Sequence, residues 1–128
     1  MQGAGVKVIL DFVPRIAEVY QAADAYLFPG SLPYAAIDIP LSVLEAMAVN
    51  LPVVTTPFGG LPDIFAPAPW FKYVDSKKAM QAALEAVFRE KWDSQTADML
   101  SRFTWNGFAQ KILEAYKSIN GATKRDIA

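Results

Sequence analysis

Cysteine and histidine are both absent from this 128-residue chain. Without cysteine there is no disulfide, no thiolate nucleophile and no sulfur-bound metal. Without histidine there is no Ser-His-Asp triad, no imidazole base and no common zinc site. Any catalysis must use carboxylates, hydroxyls, backbone dipoles or a bound cofactor. Neither sign of charge dominates, with 12 Lys and Arg against 13 Asp and Glu, so no basic face points to nucleic acid. No apolar run approaches the roughly 18 residues of a membrane span. The opening residues do not read as a charged-then-apolar signal peptide. A cytoplasmic, soluble protein is the expectation. One more absence is local: between Arg15 and Lys72 there is no Lys or Arg at all.

A hydrophobic content of 53% argues for a compact globule and against disorder. The length suits one domain. Residues 1–120 read as that domain and 121–128 as a polar tail. The stretch from Pro40 to Gly60 organises the rest. Pro40 suits a first helical turn, and Leu44, Met47 and Ala48 recur on one helical face. Asn50 tolerates the left-handed conformation that ends many helices, and Pro52 blocks continuation. Pro52 to Thr56 is a β-branched strand, stopped by Pro57 and the Gly59–Gly60 pair.

Upstream, Val6 to Val13 is mostly apolar and reads as a strand covered on both faces. Arg15 to Ala23 follows as a helix with Ile16, Val19, Tyr20 and Ala23 on its apolar face. Ala25 to Phe28 is the next strand. Gly30 to Ile39 is a loop, long for an α/β connection. Downstream, Leu61 to Phe65 is one helical turn, Ala66 to Pro69 an extended crossing, and Trp70 to Val74 a last strand. Asp75 or Ser76 caps a helix reaching about Trp92, with Met80, Leu84, Val87 and Phe88 as its buried stripe. A helix around Gln95 to Arg102 precedes a final one capped by Thr104, with Phe108, Ile112, Leu113, Tyr116 and Ile119 as another stripe. Strands alternating with helices through short links pair in parallel with right-handed crossovers. The expected fold is a three-layer, Rossmann-like α/β sheet flanked by helices.

Ligands of open parallel sheets bind beyond the carboxyl ends of the strands. Two loops leave that edge, Gly30 to Ile39 and Thr56 to Leu61. A helix N-terminus beside glycine-rich backbone offers N–H groups to a phosphate, and Glu45, one turn in, could accept two hydrogen bonds from a ribose diol. Each residue also has a bland reading. Ser42 and Glu45 match the spacing of a capping box. Gly59–Gly60 suits a plain turn, and Asp38 a dipole-stabilising acid at the mouth of the helix. Tyr34, Tyr73 and the tryptophans read as core or rim aromatics.

Leu27-Phe28-Pro29, the segment from Pro40 through Glu45-Ala46-Met47-Ala48, and Leu51 through Gly59-Gly60-Leu61-Pro62-Asp63 resemble the donor-binding half of retaining GT-B glycosyltransferases, the group 1 (family 4-like) set. The resemblance extends upstream through Val6 to Val13 and Tyr20 to Pro29, and downstream to Phe103-Thr104-Trp105. It implies a C-terminal, nucleotide-sugar-binding GT-B domain, here incomplete. The reaction implied is metal-independent transfer of a hexose from a nucleoside-diphosphate sugar with retained configuration. No cofactor is implied beyond that sugar nucleotide as substrate. In that family a pair of glutamates flanks the start of the helix. The second binds the nucleotide ribose and matches Glu45, with Ser42, Leu41, Gly59 and Gly60 close to the nucleotide. The first contacts the donor sugar as a catalytic or stabilising carboxylate and falls at Ile37; Asp38, one residue out of register and a methylene shorter, is the candidate for that role if the loop shifts.

Two departures shape the expected function. Ile37 replaces the first acid, and the family's Arg and Lys that meet the diphosphate have no counterpart between Arg15 and Lys72. The chain is therefore expected to need a missing N-terminal acceptor domain or a protein partner, and by itself to be inactive. Through such a partner it could lie peripheral to the inner membrane. The alternative is a non-catalytic, degenerate module that binds a nucleotide weakly or a protein. The strand from Val6 to Val13, left as an apolar edge, is expected to drive self-association. A general nucleotide-binding protein such as a dehydrogenase half fits poorly, for want of the glycine fingerprint after a first strand.

Overall fold

The computed structural model describes residues 5, 7–31, 36–90, 93–101 and 103–123, the last four for backbone only. Expectations at Val6, Tyr34, Trp92, Arg102 and 124–128 fall outside these residues. Three strands form a parallel sheet in the order β1 (Tyr26–Phe28), β2 (Val53–Thr55) and β3 (Phe71–Tyr73). Tyr26 faces Val53, and Val53 faces Phe71 across the ladder. Helices α1 (Ile16–Gln21), α2 (Leu41–Ala48), α3 (Leu61–Ile64), α4 (Lys77–Glu90), α5 (Thr96–Met99) and α6 (Trp105–Thr123) complete the described chain. None of them is long and apolar enough to cross a membrane.

Side chains alternate across a strand, so β2 feeds two cores. Val53 packs with Val43, Ala46 and Met47 of α2 and with Phe65 and Phe71. Val54 points to the other face, against Val74 and against Ala83 and Val87 of α4. The sheet therefore lies between helical layers. This is the three-layer α/β arrangement that the alternating elements predict.

α2 ends as its sequence dictates. Asn50 takes φ 60°, its N–H donates to the Met47 carbonyl at 3.0 Å, and Leu51 N–H donates to the Ala46 carbonyl at 3.1 Å. This is a Schellman closure with asparagine in the left-handed place. Asn50 Oδ1 also accepts from Ala97 N–H at 2.9 Å. The fully buried Thr96 hydroxyl reaches the Leu51 carbonyl at 2.9 Å. The start of α5 is thus fastened to the end of α2. Ser76, rather than Asp75, caps α4 through Ala79 N–H at 3.2 Å, and Thr104 caps α6 through Gly107 N–H at 3.1 Å.

Several expectations need correction. The described part of the segment 6–13 joins no strand of the sheet, and Leu10 is 94% exposed. A β-branched run becomes a strand only beside a partner ladder, and among the described residues β1 pairs with β2 alone. The expected apolar edge strand is instead an exposed apolar segment. On α4 the buried face centres on Ala83 and Val87, so Phe88 is 60% exposed. On α6 the expected stripe of Phe108, Ile112, Leu113, Tyr116 and Ile119 is largely exposed, at 50–66%. α1 is shorter than expected and buries no residue. The accessible surface is 9850 Å², against about 6,700 Å² for a compact monomer of this mass.

Candidate functional site

The loops after β1 and β2 meet at the carboxyl edge of the sheet. Thr56 N–H donates to the Phe28 carbonyl at 3.2 Å, and the Thr56 hydroxyl donates to the Gly30 carbonyl. Gly30 lies between the Phe28 and Phe58 rings, which stack edge-on at 5.3 Å. A Cβ there would stand 2.5 Å from one ring and 2.9 Å from the other.

The expected site residues divide into two groups. Asp38, Gly59 and Gly60 come together. Gly60 N–H donates to the Asp38 carbonyl at 3.1 Å. A Cβ on Gly60 would lie 2.7 Å from Asp38 Oδ2, and one on Gly59 would run into the Asp38 carbonyl. Gly59 has φ +50°, a left-handed conformation suited to glycine. The pair is thus a tight turn laid against an acidic residue, with the Gly60 amide already engaged. Ile37, expected to stand where an acid would contact the donor sugar, is exposed.

Glu45 stands on the exposed side of α2, with Leu41 and Ser42 in the helix's first turn. Pro40, not Ser42, is the N-cap, and no side chain caps the helix. The capping-box alternative is therefore not what this helix uses, since Ser42 already lies inside it. Glu45 instead accepts a hydrogen bond from Tyr20 of α1, Oη to Oε2 at 3.1 Å. The Tyr20 ring packs edge-on against Tyr26 of β1 at 5.8 Å. Burial, then the Glu45 hydrogen bond and charge, push the Tyr20 phenol up to about 12. Tyr20 remains a proton donor at any physiological pH.

Reading the sequence placed Tyr20 only on an apolar helix face. The available signal was a hydroxyl-bearing residue on a helix that must pack beside the one carrying Glu45. Tyr73 is a second case: its hydroxyl donates to the Phe65 carbonyl at 2.9 Å. Burial and the nearby Asp63 charge raise it to about 12. This bond ties β3 to the end of α3.

A family model described as glycosyl transferases group 1 matches residues 3–90, from before α1 to the end of α4. The chain belongs to that family. Searches of curated proteins and of solved structures gave no match. The group 1 match takes in all three strands, α2 and both loops of the carboxyl edge. Phe103-Thr104-Trp105, which also resembles the family, lies beyond the matched residues.

Proposed function

We propose that this chain is the donor-binding part of a glycosyltransferase that moves a hexose from a nucleoside-diphosphate sugar to an acceptor with retained configuration. The group 1 family match across the whole carboxyl edge carries this reading. In it residues 1–120 are a partial C-terminal GT-B domain and 121–128 a tail. Glu45 accepts the ribose hydroxyls, as carboxylates do in nucleotide sites on such sheets. Leu41 and Ser42 at the start of α2, with Gly59 and Gly60, lie along the diphosphate. No metal takes part. Backbone dipoles at the α2 N-terminus would stabilise the departing diphosphate without reorganising during the reaction. An N-terminal acceptor domain or a protein partner completes the site. The proposed place of action is the cytoplasm, at the inner membrane where that partner binds it.

A second reading is favoured by one specific arrangement. Asp38 fills the face of the glycine turn and engages the Gly60 amide, and no Lys or Arg between residues 15 and 72 offsets the charge of a diphosphate. Charge-assisted contacts are the stronger kind. Their absence from this stretch suits a non-catalytic module that holds a nucleotide weakly or binds a protein.

Amide-shift titration by NMR with UDP, GDP and ADP, beside Glu45→Ala, tests the donor-site reading. Saturable shifts from Ser42 to Ala46 and at Gly59 and Gly60, lost in the variant, are expected. No shift at millimolar nucleotide would refute it.

A further inference from the structure

We infer that Tyr20 is a positioning residue for the nucleotide ribose, acting by holding the Glu45 carboxylate in place; the inference rests on the reading that Glu45 binds ribose. Glu45 is exposed on α2, and a free glutamate side chain loses much rotamer freedom when fixed. A carboxylate that must take two adjacent hydroxyls at once needs that freedom removed beforehand. The structure removes it from one side. The Tyr20 ring is set edge-on to Tyr26, whose strand is paired into the sheet, and its hydroxyl donates to Oε2 at 3.1 Å.

The stoichiometry of hydrogen bonding is favourable. An ionised carboxylate offers about four lone-pair sites, and Tyr20 uses one of them. Three remain, enough for the two hydroxyls of a ribose diol. The Tyr20 proton is committed to Glu45, while its phenolic oxygen keeps its own acceptor capacity. The chain Tyr26, Tyr20, Glu45 thus carries the rigidity of the sheet to an exposed acid through one ring contact and one hydrogen bond.

The alternative is that the bond only fastens α1 to α2. The two roles separate when affinities of UDP, GDP and ADP are compared with those of their 2′,3′-dideoxy forms, for the unmodified chain, Tyr20→Phe and Glu45→Ala. If Tyr20 positions the acid, Tyr20→Phe weakens the ribonucleotide by about tenfold, the scale of one hydrogen bond to a charged group. The dideoxy form, which lacks the diol, keeps its affinity. Equal weakening of both forms would mean a loosened helix pair and would overturn the inference, as would no weakening at all. Failure of the underlying reading looks different: Glu45→Ala would then leave the preference for ribonucleotide unchanged, or neither form would bind. If Glu45→Ala abolishes the preference and Tyr20→Phe does not, the ribose reading stands and the positioning role falls.

Discussion

Alanine at Gly59 and alanine at Gly60 should have very unequal consequences, although the two glycines are neighbours. At Gly59 the added Cβ meets the Asp38 carbonyl oxygen, which is backbone, and φ is +50°. The left-handed conformation costs an L-residue about 1–2 kcal/mol. Overpacking against a fixed group adds about 1–3 kcal/mol, and displacing Asp38 endangers the Gly60 N–H bond, worth about 1 kcal/mol. These contributions overlap, and a net loss of about 3 kcal/mol is expected for Gly59→Ala. A domain of this size holds about 5–15 kcal/mol in all. At Gly60 the nearest atom is Asp38 Oδ2 at 2.7 Å, the far end of a side chain that can rotate away. Alanine there also restricts the unfolded chain, a gain of about 0.4–1 kcal/mol, so Gly60→Ala should be nearly neutral.

Urea unfolding followed by tryptophan fluorescence measures both. With a slope of about 1–3 kcal/mol per molar, the Gly59→Ala midpoint should fall by about 1–3 M while Gly60→Ala barely moves. Adding Asp38→Ala should remove any residual cost of Gly60→Ala and leave Gly59→Ala unrescued. Rescue of Gly59→Ala by Asp38→Ala, or equal midpoints for the two alanine variants, would refute the packing described for this turn.

The end of α2 gives a second test. Asn50→Gly keeps the left-handed turn and loses only the bond from Ala97 N–H, so a cost of about 1 kcal/mol is expected. Asn50→Ala adds backbone strain and should cost about 2 kcal/mol; the reverse order in urea unfolding would contradict the closure. The third concerns alkaline pH. Tyr20 and Tyr73 ionise near 12 in the folded chain, against an ordinary 10.0. Between these values the folded state holds more protons than the unfolded one. Their contribution to stability is complete below pH 10 and is lost as pH rises through 12. A phenolate absorbance titration should show a late phase that shrinks in Tyr20→Phe and in Tyr73→Phe, whereas one phase near pH 10 would exclude it.

The order of elements could be read from residues that act locally. Asn50 and Pro52 end α2 by backbone chemistry alone, and Thr104 caps α6 within its own turn. Val53 and Val54 declare a strand buried on both faces. What could not be read depends on partners distant in sequence. The segment 6–13 has strand-forming residues, yet a strand is a property of a pair. Phe88 and the α6 stripe obey helical spacing, but spacing does not say what stands opposite. In the candidate site, Asp38, Gly59 and Gly60 were each visible as residue types. Their contact across the intervening α2 and β2 was not. Glu45 was visible as an acid on an apolar helix, but Tyr20, 25 residues away, showed only as part of a helical face.

Seven of the nine buried residues in the larger core, from Val43 to Leu61, come from one continuous piece of chain containing α2, β2 and the glycine turn. Contacts between residues so close in sequence close short loops, which cost little entropy. Topologies rich in them form early and fast. The stretch that carries Glu45, Gly59 and Gly60 is thus also the one best placed to nucleate folding, with β1, β3 and α4 condensing on it. Substitutions in the candidate site of this chain then act on two quantities at once, any ligand affinity it has and the rate at which folded protein appears. A lost activity there has meaning only alongside a folding rate.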